Sequence, residues 1–401
     1  MLKHWLWLST LRGLGRKGML RVLETFQTPE AAFLADRAEC SLVPELTAAQ
    51  VDALQNKDLS RPLQILRTCE EQGIQLLTYQ DAAYPERLRA IDDAPILLYY
   101  KGRLPDLDSV PAIGVVGARQ ASAYGLLQAK RFGYQLSAGG AIVVSGMARG
   151  IDALSMEGAL SAGSPVIGVL GCGVDVVYPA ENRALYRDVA ANGCLISEFE
   201  PGTPPNGQNF PVRNRIISGL CNGVLVVEAG KRSGALITAN RALEQGRDVF
   251  AIPSNLGVDV GEGTNQLLRD GAILVMDAWD VLKEYAAQYP VLRRPGKTDL
   301  ELMPRDLERS AETKPEPAKN SKTPVDKPEK AAYIDLESLR GTLSEDEWAI
   351  AQRLSDKPVH VDTLIEDSGL AASQALAALT LLELKQIAAR LPGRRYTLAQ
   401  K

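Results

Sequence analysis

The stretch NFPVRNRIISGLCNGVLVVEAGKRSGALITAN, residues 209–240, decides the fold class. At its centre, Gly223–Val227 is a short uncharged run of small and apolar residues, the pattern of a strand buried on both faces. Glu228–Gly234 is a polar loop at the C-terminal end of that strand, and Ser233–Gln245 has the spacing of a helix. Strand, loop and helix in this order belong to an open parallel sheet, where ligands bind in the crevice beyond the C-terminal ends of the strands. Around this point stand the cations Arg213, Arg215, Lys231 and Arg232 and one aromatic, Phe210. Cations and a helix N-terminus suit phosphate, and an aromatic beside them suits a nucleobase. The ligand this predicts is a polyanion that carries bases.

Working outward, residues 86–285 alternate apolar runs with helical patterns. Strands are expected at Ile113–Val116, Ala141–Ser145, Val166–Leu170, Leu195–Ser197, Gly223–Val227, Val249–Ile252 and Ile273–Val275. Helices such as Ala123–Ser137, Ala153–Ala162 and Ala235–Gln245 fall between them, which makes the segment a doubly wound α/β domain. Residues 1–85 read as a separate helical domain. Residues 286–338 read as a linker: within them, 291–330 hold six prolines, 18 charges of mixed sign and no aromatic. Such a segment buries too little apolar area to offset its ordering entropy, so a flexible tether is expected. In residues 339–401, helices at Leu343–Leu354, Val361–Asp367 and Ser373–Leu384 precede a hairpin, Ala388–Leu398, around Pro392-Gly393. Three helices and a hairpin are the winged-helix layout.

Glycine turns follow several of the expected strands. Gly117-Ala118-Arg119 ends the first and presents an arginine fork suited to phosphate. Ser145-Gly146 opens a second loop, with Asp152 expected as the N-cap of the next helix. Gly171-Cys172-Gly173 and Tyr178-Pro179-Ala180-Glu181-Asn182 follow the third, and the set forms one lip. Glu228 is expected to orient Arg213 or Arg215, since acids beside arginine clusters usually pair. Gly13-Leu14-Gly15-Arg16-Lys17-Gly18 matches G-x-G-x-x-G literally, but no strand pattern precedes it. It fits a helix–hairpin–helix that approaches phosphate or a tight helix–helix turn without a ligand, and these two readings stand equally.

Composition excludes several classes. The formal net charge of the 401 residues is −4, so a nucleic-acid site must be a local patch. Five scattered cysteines without a C-x-x-C pair predict reduced, buried thiols in a cytoplasmic protein. Two histidines, His4 and His360, near opposite ends of the chain leave no basis for a His-centred metal site or triad. No apolar run approaches a membrane span. No cofactor, metal or catalytic residue is expected.

The longer motifs resemble the DprA/Smf family of bacterial single-strand DNA-binding recombination mediators over nearly the whole chain. They are Tyr84-Pro85 with Leu88, PILLYYKG at 95–102, VGAR at 116–119, SGMARGID at 145–152 and GCGVDVVYPAEN at 171–182. FPVRNRIISGL at 210–220, VVEAGKRSGALITA at 226–239 and GTNQLLRDGA at 263–272 complete the set. The resemblance implies an N-terminal domain like a sterile alpha motif, a Rossmann-like core and a C-terminal winged helix. It also implies a homodimer formed through the core, single-stranded DNA along the core's pocket, and loading of RecA during natural transformation. Carried onto this chain, the DNA contacts would be Gly117, Arg119, Ser145, Gly146, Phe210, Arg213, Asn214 and Arg215, with Ser233 and Gly234 beside them. Ala118 stands where members often carry Ser or Thr, and Ala180 where some carry a basic residue.

Two other functions compete. A nucleotide-hydrolysing or nucleotide-binding enzyme would use Glu228, but no paired carboxylate or nucleophile accompanies it. A transcription factor would read bases through Ser373–Lys385, but that helix offers only Gln374 for base edges. The winged helix is therefore expected to meet protein, or DNA backbone through Arg394 and Arg395.

Overall fold

The computed structural model describes residues 1–296, 340–355, 359–385, 387–391 and 395–398. The chain divides into two compact units, Met1–Lys314 and Pro315–Lys401.

The first unit is built on a nine-stranded sheet. Its strands are β1 (Gln75–Thr78), β2 (Leu97–Gly102), β3 (Ala112–Val116), β4 (Ile142–Ser145) and β5 (Val166–Leu170), followed by β6 (Cys194–Ser197), β7 (Gly223–Val226), β8 (Asp248–Ala251) and β9 (Ile273–Leu274). The spatial order is β1-β2-β6-β5-β4-β3-β7-β8-β9. From β6 to β9 every neighbour is parallel, while β2 and β1 add on antiparallel. All seven expected strands are present, each to within a residue at either end. β1 and β2 were not expected. β1 lies within residues 1–85 and pairs with β2, so the sheet begins before the expected start of the core.

The sheet is covered on both faces, which is why its central strands read as unbroken apolar runs. Ile113, Val115 and Val143 point into one core; Ala112, Val116, Ile142 and Val144 point into the other. The first core continues into the N-terminal helices through Trp5, Leu6, Trp7 and Leu8. The helices Leu2–Thr10 and Gly15–Phe26 are joined by a turn with Gly13 at φ 86° and Gly15 at φ 70°. A helix, not a strand, precedes that glycine motif, in keeping with the missing strand pattern. Arg16 at the turn is committed to Glu198, 2.9 Å away.

The expected linker begins too early at 286. Tyr289 is buried, its hydroxyl meets Arg87 and Asn222 at 3.2 Å, and the Arg293 N–H donates to Gly139 O. These contacts make residues 286–296 the closing segment of the first unit. The rest of the expected tether, 297–338, lies outside the described residues.

In the second unit, helices Glu345–Ala351, Val361–Ser368 and Ala372–Leu384 pack around Ile350, Leu364, Leu379 and Leu382. A hairpin of β11 (Ala388–Leu391) and β12 (Arg395–Leu398) follows, and β12 also pairs with the short β10 (Val359–His360). This is a winged helix. Arg394 and the Arg395 side chain lie outside the described residues.

Candidate nucleic-acid interface

In the sheet order the chain runs from β3 through β4, β5 and β6 to one side, then returns as β7 on the other side of β3. Neighbouring parallel strands whose connections leave in opposite directions open a crevice at their C-terminal ends. The loops after β3, β4 and β7 lead into the helices Ala123–Ala138, Ile151–Ser161 and Gly234–Glu244. Three helix N-termini, each with partial positive charge, therefore start from the loops that bound this crevice.

The glycines pack the loops together. A Cβ on Gly117 would lie 2.5 Å from Ile151 Cγ1, and one on Gly150, at φ 73°, would lie 2.5 Å from Ala118 O. This close approach leaves Arg119 exposed on the rim. Ser145 is fully buried and its hydroxyl donates to Val115 O at 2.6 Å. The Gly146 N–H donates to the Asp152 carboxylate at 3.2 Å, as does that of Ala148 at 3.4 Å. Ser145 and Gly146 thus spend their polar groups inside the protein, against the expectation that they face DNA. Asp152 is not the N-cap, which is Gly150; it braces the β4 loop. Burial pushes the Asp152 carboxyl up, opposed first by the Arg213 charge.

Residues Asn209–Leu220 form a helix, which sequence reasoning had not assigned. Positions three and four apart share a helix face, so Phe210, Arg213 and Asn214 turn together toward the crevice. Arg215 is two residues beyond Arg213 and points the other way. It is 2% exposed, with Nη2 2.6 Å from Glu198 and Nε 3.1 Å from Asp93. The expectation that Arg215 lines the DNA site is therefore corrected: its buried guanidinium shares Glu198 with the partly exposed Arg16 of the N-terminal helices.

Arg213 is 4% exposed, and its Nη1 donates to Gly146 O at 2.9 Å and to Val169 O. Burial lowers its pKa, but a guanidinium stays charged under any physiological condition. It acts as a fixed positive charge under the floor. Phe210 lies above it, half-buried, with the Arg213 and Arg119 guanidinium carbons 5.9 and 5.3 Å from its ring centroid. Asn214 makes a long 3.4 Å contact to Gly234 O. Ser233 caps its helix through Ala235 N, and a Cβ on exposed Gly234 would meet nothing within 4 Å.

Together these loops enclose a groove of about 880 Å³. Arg119, Arg149, Lys231 and Arg232 line it and are exposed; Arg149 pairs with Glu181, and Lys231 with Glu262 at 3.0 Å. Arg119 and Arg232 have no ion pair among the described residues. Tyr178 and Arg149 were not singled out from sequence; both sit inside motifs already noted, YPAEN and SGMARGID. Glu228 does not orient an arginine. It is buried and accepts the Ser122 N–H at 2.7 Å and hydroxyl at 2.6 Å, holding the start of the Ala123–Ala138 helix. The acids lining the groove are Asp152, already bonded, and Asp259. Among the described residues no three His, Cys, Asp or Glu side chains cluster as a metal site, and no helix is long and apolar enough to cross a membrane.

Fold and groove define a class: a Rossmann-like α/β protein with a cationic, aromatic crevice at its switch point, followed by a winged helix. The family model for DNA recombination-mediator protein A matches residues 75–286, and that for the DprA winged helix domain matches 336–394. The chain is 32% identical over 403 residues to Protein Smf of Synechocystis sp., covering 98% of both. It is 44% identical over 205 residues to DNA processing protein DprA of Streptococcus pneumoniae, covering 51% of this chain and 72% of the relative. The X-ray structure of DNA processing protein A from Streptococcus pneumoniae aligns with a TM-score of 0.59 at 36% identity, covering 71% of this chain and 98% of that one. The chain belongs to the DprA/Smf family of DNA-processing proteins.

Proposed function

We propose that this protein is a single-stranded DNA-binding recombination mediator that protects incoming strands and helps load RecA on them during transformation. The observation that carries the reading is the switch-point groove. Its exposed cations and the N-terminus of the Gly234–Glu244 helix attract phosphates, and its aromatic surface accepts bases without selecting among them. Membership of a family described as DNA recombination mediators supports the same reading.

The proposed contacts are Arg119, Phe210, Asn214, Ser233 and Gly234, together with Lys231 and Arg232. Gly117 shapes the loop, and Arg213 supplies charge from below. A homodimer through the core is part of the proposal. Among the described residues β9 is an edge strand of the sheet, with Leu274 and Met276 exposed, and such an edge supports it as a surface needing cover.

The test is a titration of labelled single strands, duplex DNA and free nucleotides at two salt concentrations. Three phosphate contacts, as from Arg119, Lys231 and Arg232, give a log–log salt slope near −2, at ~0.7 per phosphate. Equal affinity for duplex, salt-independent binding, or turnover of a nucleotide would refute the reading. RecA filament assembly on protein-coated single strands tests the loading step.

A further inference from the structure

We infer that Tyr178 is a second, outer stacking residue of the groove, continuing the aromatic surface begun by Phe210; this rests on the single-strand reading above. Tyr178 lies in the loop after β5 and is 40% exposed, while it lines the groove beside Phe210. Its position is built. The buried Tyr186 hydroxyl accepts the Tyr178 N–H at 3.3 Å and donates to the Tyr178 carbonyl at 2.8 Å. One side chain thus clamps both backbone groups of Tyr178 while its ring stays partly open to solvent. An exposed aromatic ring held this way costs apolar exposure and makes no hydrogen bond of its own among those described.

The ring geometry decides how it is used. The Tyr178 and Phe210 centroids are 5.6 Å apart, with planes tilted by 31°. A base inserted between two rings needs roughly 7 Å, two contacts of about 3.5 Å each. The gap bounded by Tyr178, Pro179, Arg119 and Arg213 is only about 40 Å³, room for a water and not for a nucleobase. No base therefore sits between the rings. Phe210 is also engaged by Arg119 and Arg213 and abuts Gly171, where a Cβ would lie 2.8 Å from Phe210 Cδ1. Phe210 backs Tyr178, and the open side of the Tyr178 ring takes the next base along the strand. Arg149 and Arg119, which line the same cavity, stand where the flanking phosphates would pass.

The test compares an oligothymidylate with an abasic oligomer of equal length, which has the same phosphates and no bases. Both are titrated by fluorescence anisotropy against the full chain and its Tyr178→Ala, Tyr178→Phe and Tyr178→Trp variants. Tyr178→Ala should weaken oligothymidylate binding roughly 5- to 100-fold, one base–aromatic stack. Abasic binding should change less than about twofold, and the Phe and Trp variants should bind as the parent does. Photocrosslinking of iododeoxyuridine-substituted DNA to the parent chain should label the peptide containing Tyr178. Unchanged oligothymidylate binding in Tyr178→Ala, or an equal loss on both oligomers, overturns the inference while leaving the groove reading intact. A parent chain that binds neither oligomer overturns both.

Discussion

Replacing Arg215 by alanine separates the buried network from the groove. Arg215 is 2% exposed and holds Glu198 at 2.6 Å and Asp93 at 3.1 Å. Removing one partner of a buried ion pair costs about 3–5 kcal/mol, because the other charge is left without compensation. Here the lower end applies. Glu198 keeps Arg16 at 2.9 Å, and Asp93 is 34% exposed and rehydrates. A loss of about 3 kcal/mol, at roughly 2–3 °C per kcal/mol for a unit of this size, lowers the melting temperature by about 6–9 °C. Calorimetry or near-ultraviolet circular dichroism reads this directly. Single-strand affinity of the folded variant at 25 °C should match the parent, and its log–log salt slope should be unchanged, since no groove cation is lost. A normal melting temperature together with a slope flattened by about 0.7 would refute the placement of Arg215 and return it to the DNA site.

Arg119→Ala should do the reverse, flattening the slope by about 0.7 with no change in melting temperature, as expected for an exposed groove cation with no ion pair among the described residues. Phe210→Ala should weaken single-strand binding by roughly 1–3 kcal/mol with an unchanged slope, and a loss of stability with normal affinity would make Phe210 purely a core residue. A chain ending at Lys314, the boundary of the first unit, should keep single-strand affinity within about tenfold, ~1.4 kcal/mol, and a larger loss would assign DNA contacts to the second unit. Burial pushes the Cys69 and Cys172 thiols up to about 11 and Cys221 up to about 12, so the native protein should resist alkylation at pH 8 while the unfolded chain reacts at all five cysteines; rapid native labelling would contradict their burial.

The parallel sheet was legible because its strands are short and buried on both faces, so Ile113–Val116 or Val166–Leu170 can hardly be anything else between glycine turns. β2 was hidden because LLYYKG carries a lysine and two tyrosines, and β1 because QLLT is too short to show a period. Glu228 looked like an arginine partner from its neighbours in sequence. Its carboxylate instead meets Ser122, more than a hundred residues earlier, a contact that no local pattern encodes.

The sequence by itself determined the fold class, the seven parallel strands from β3 to β9, the glycine loops and the kinds of side chain that meet a base-bearing polyanion, because each depends on local spacing and residue chemistry. The tertiary structure alone decided which of those side chains reach the groove. Arg213 and Arg215 are two residues apart and chemically identical, yet a helix turns about 100° per residue and sends them to opposite faces. One lies under the groove, tied to Gly146 O, and the other is locked between Glu198 and Asp93. Ser145 and Gly146 carry the right groups for phosphate, but Val115 O and Asp152 satisfy them first, since a buried polar group takes the nearest partner the fold supplies.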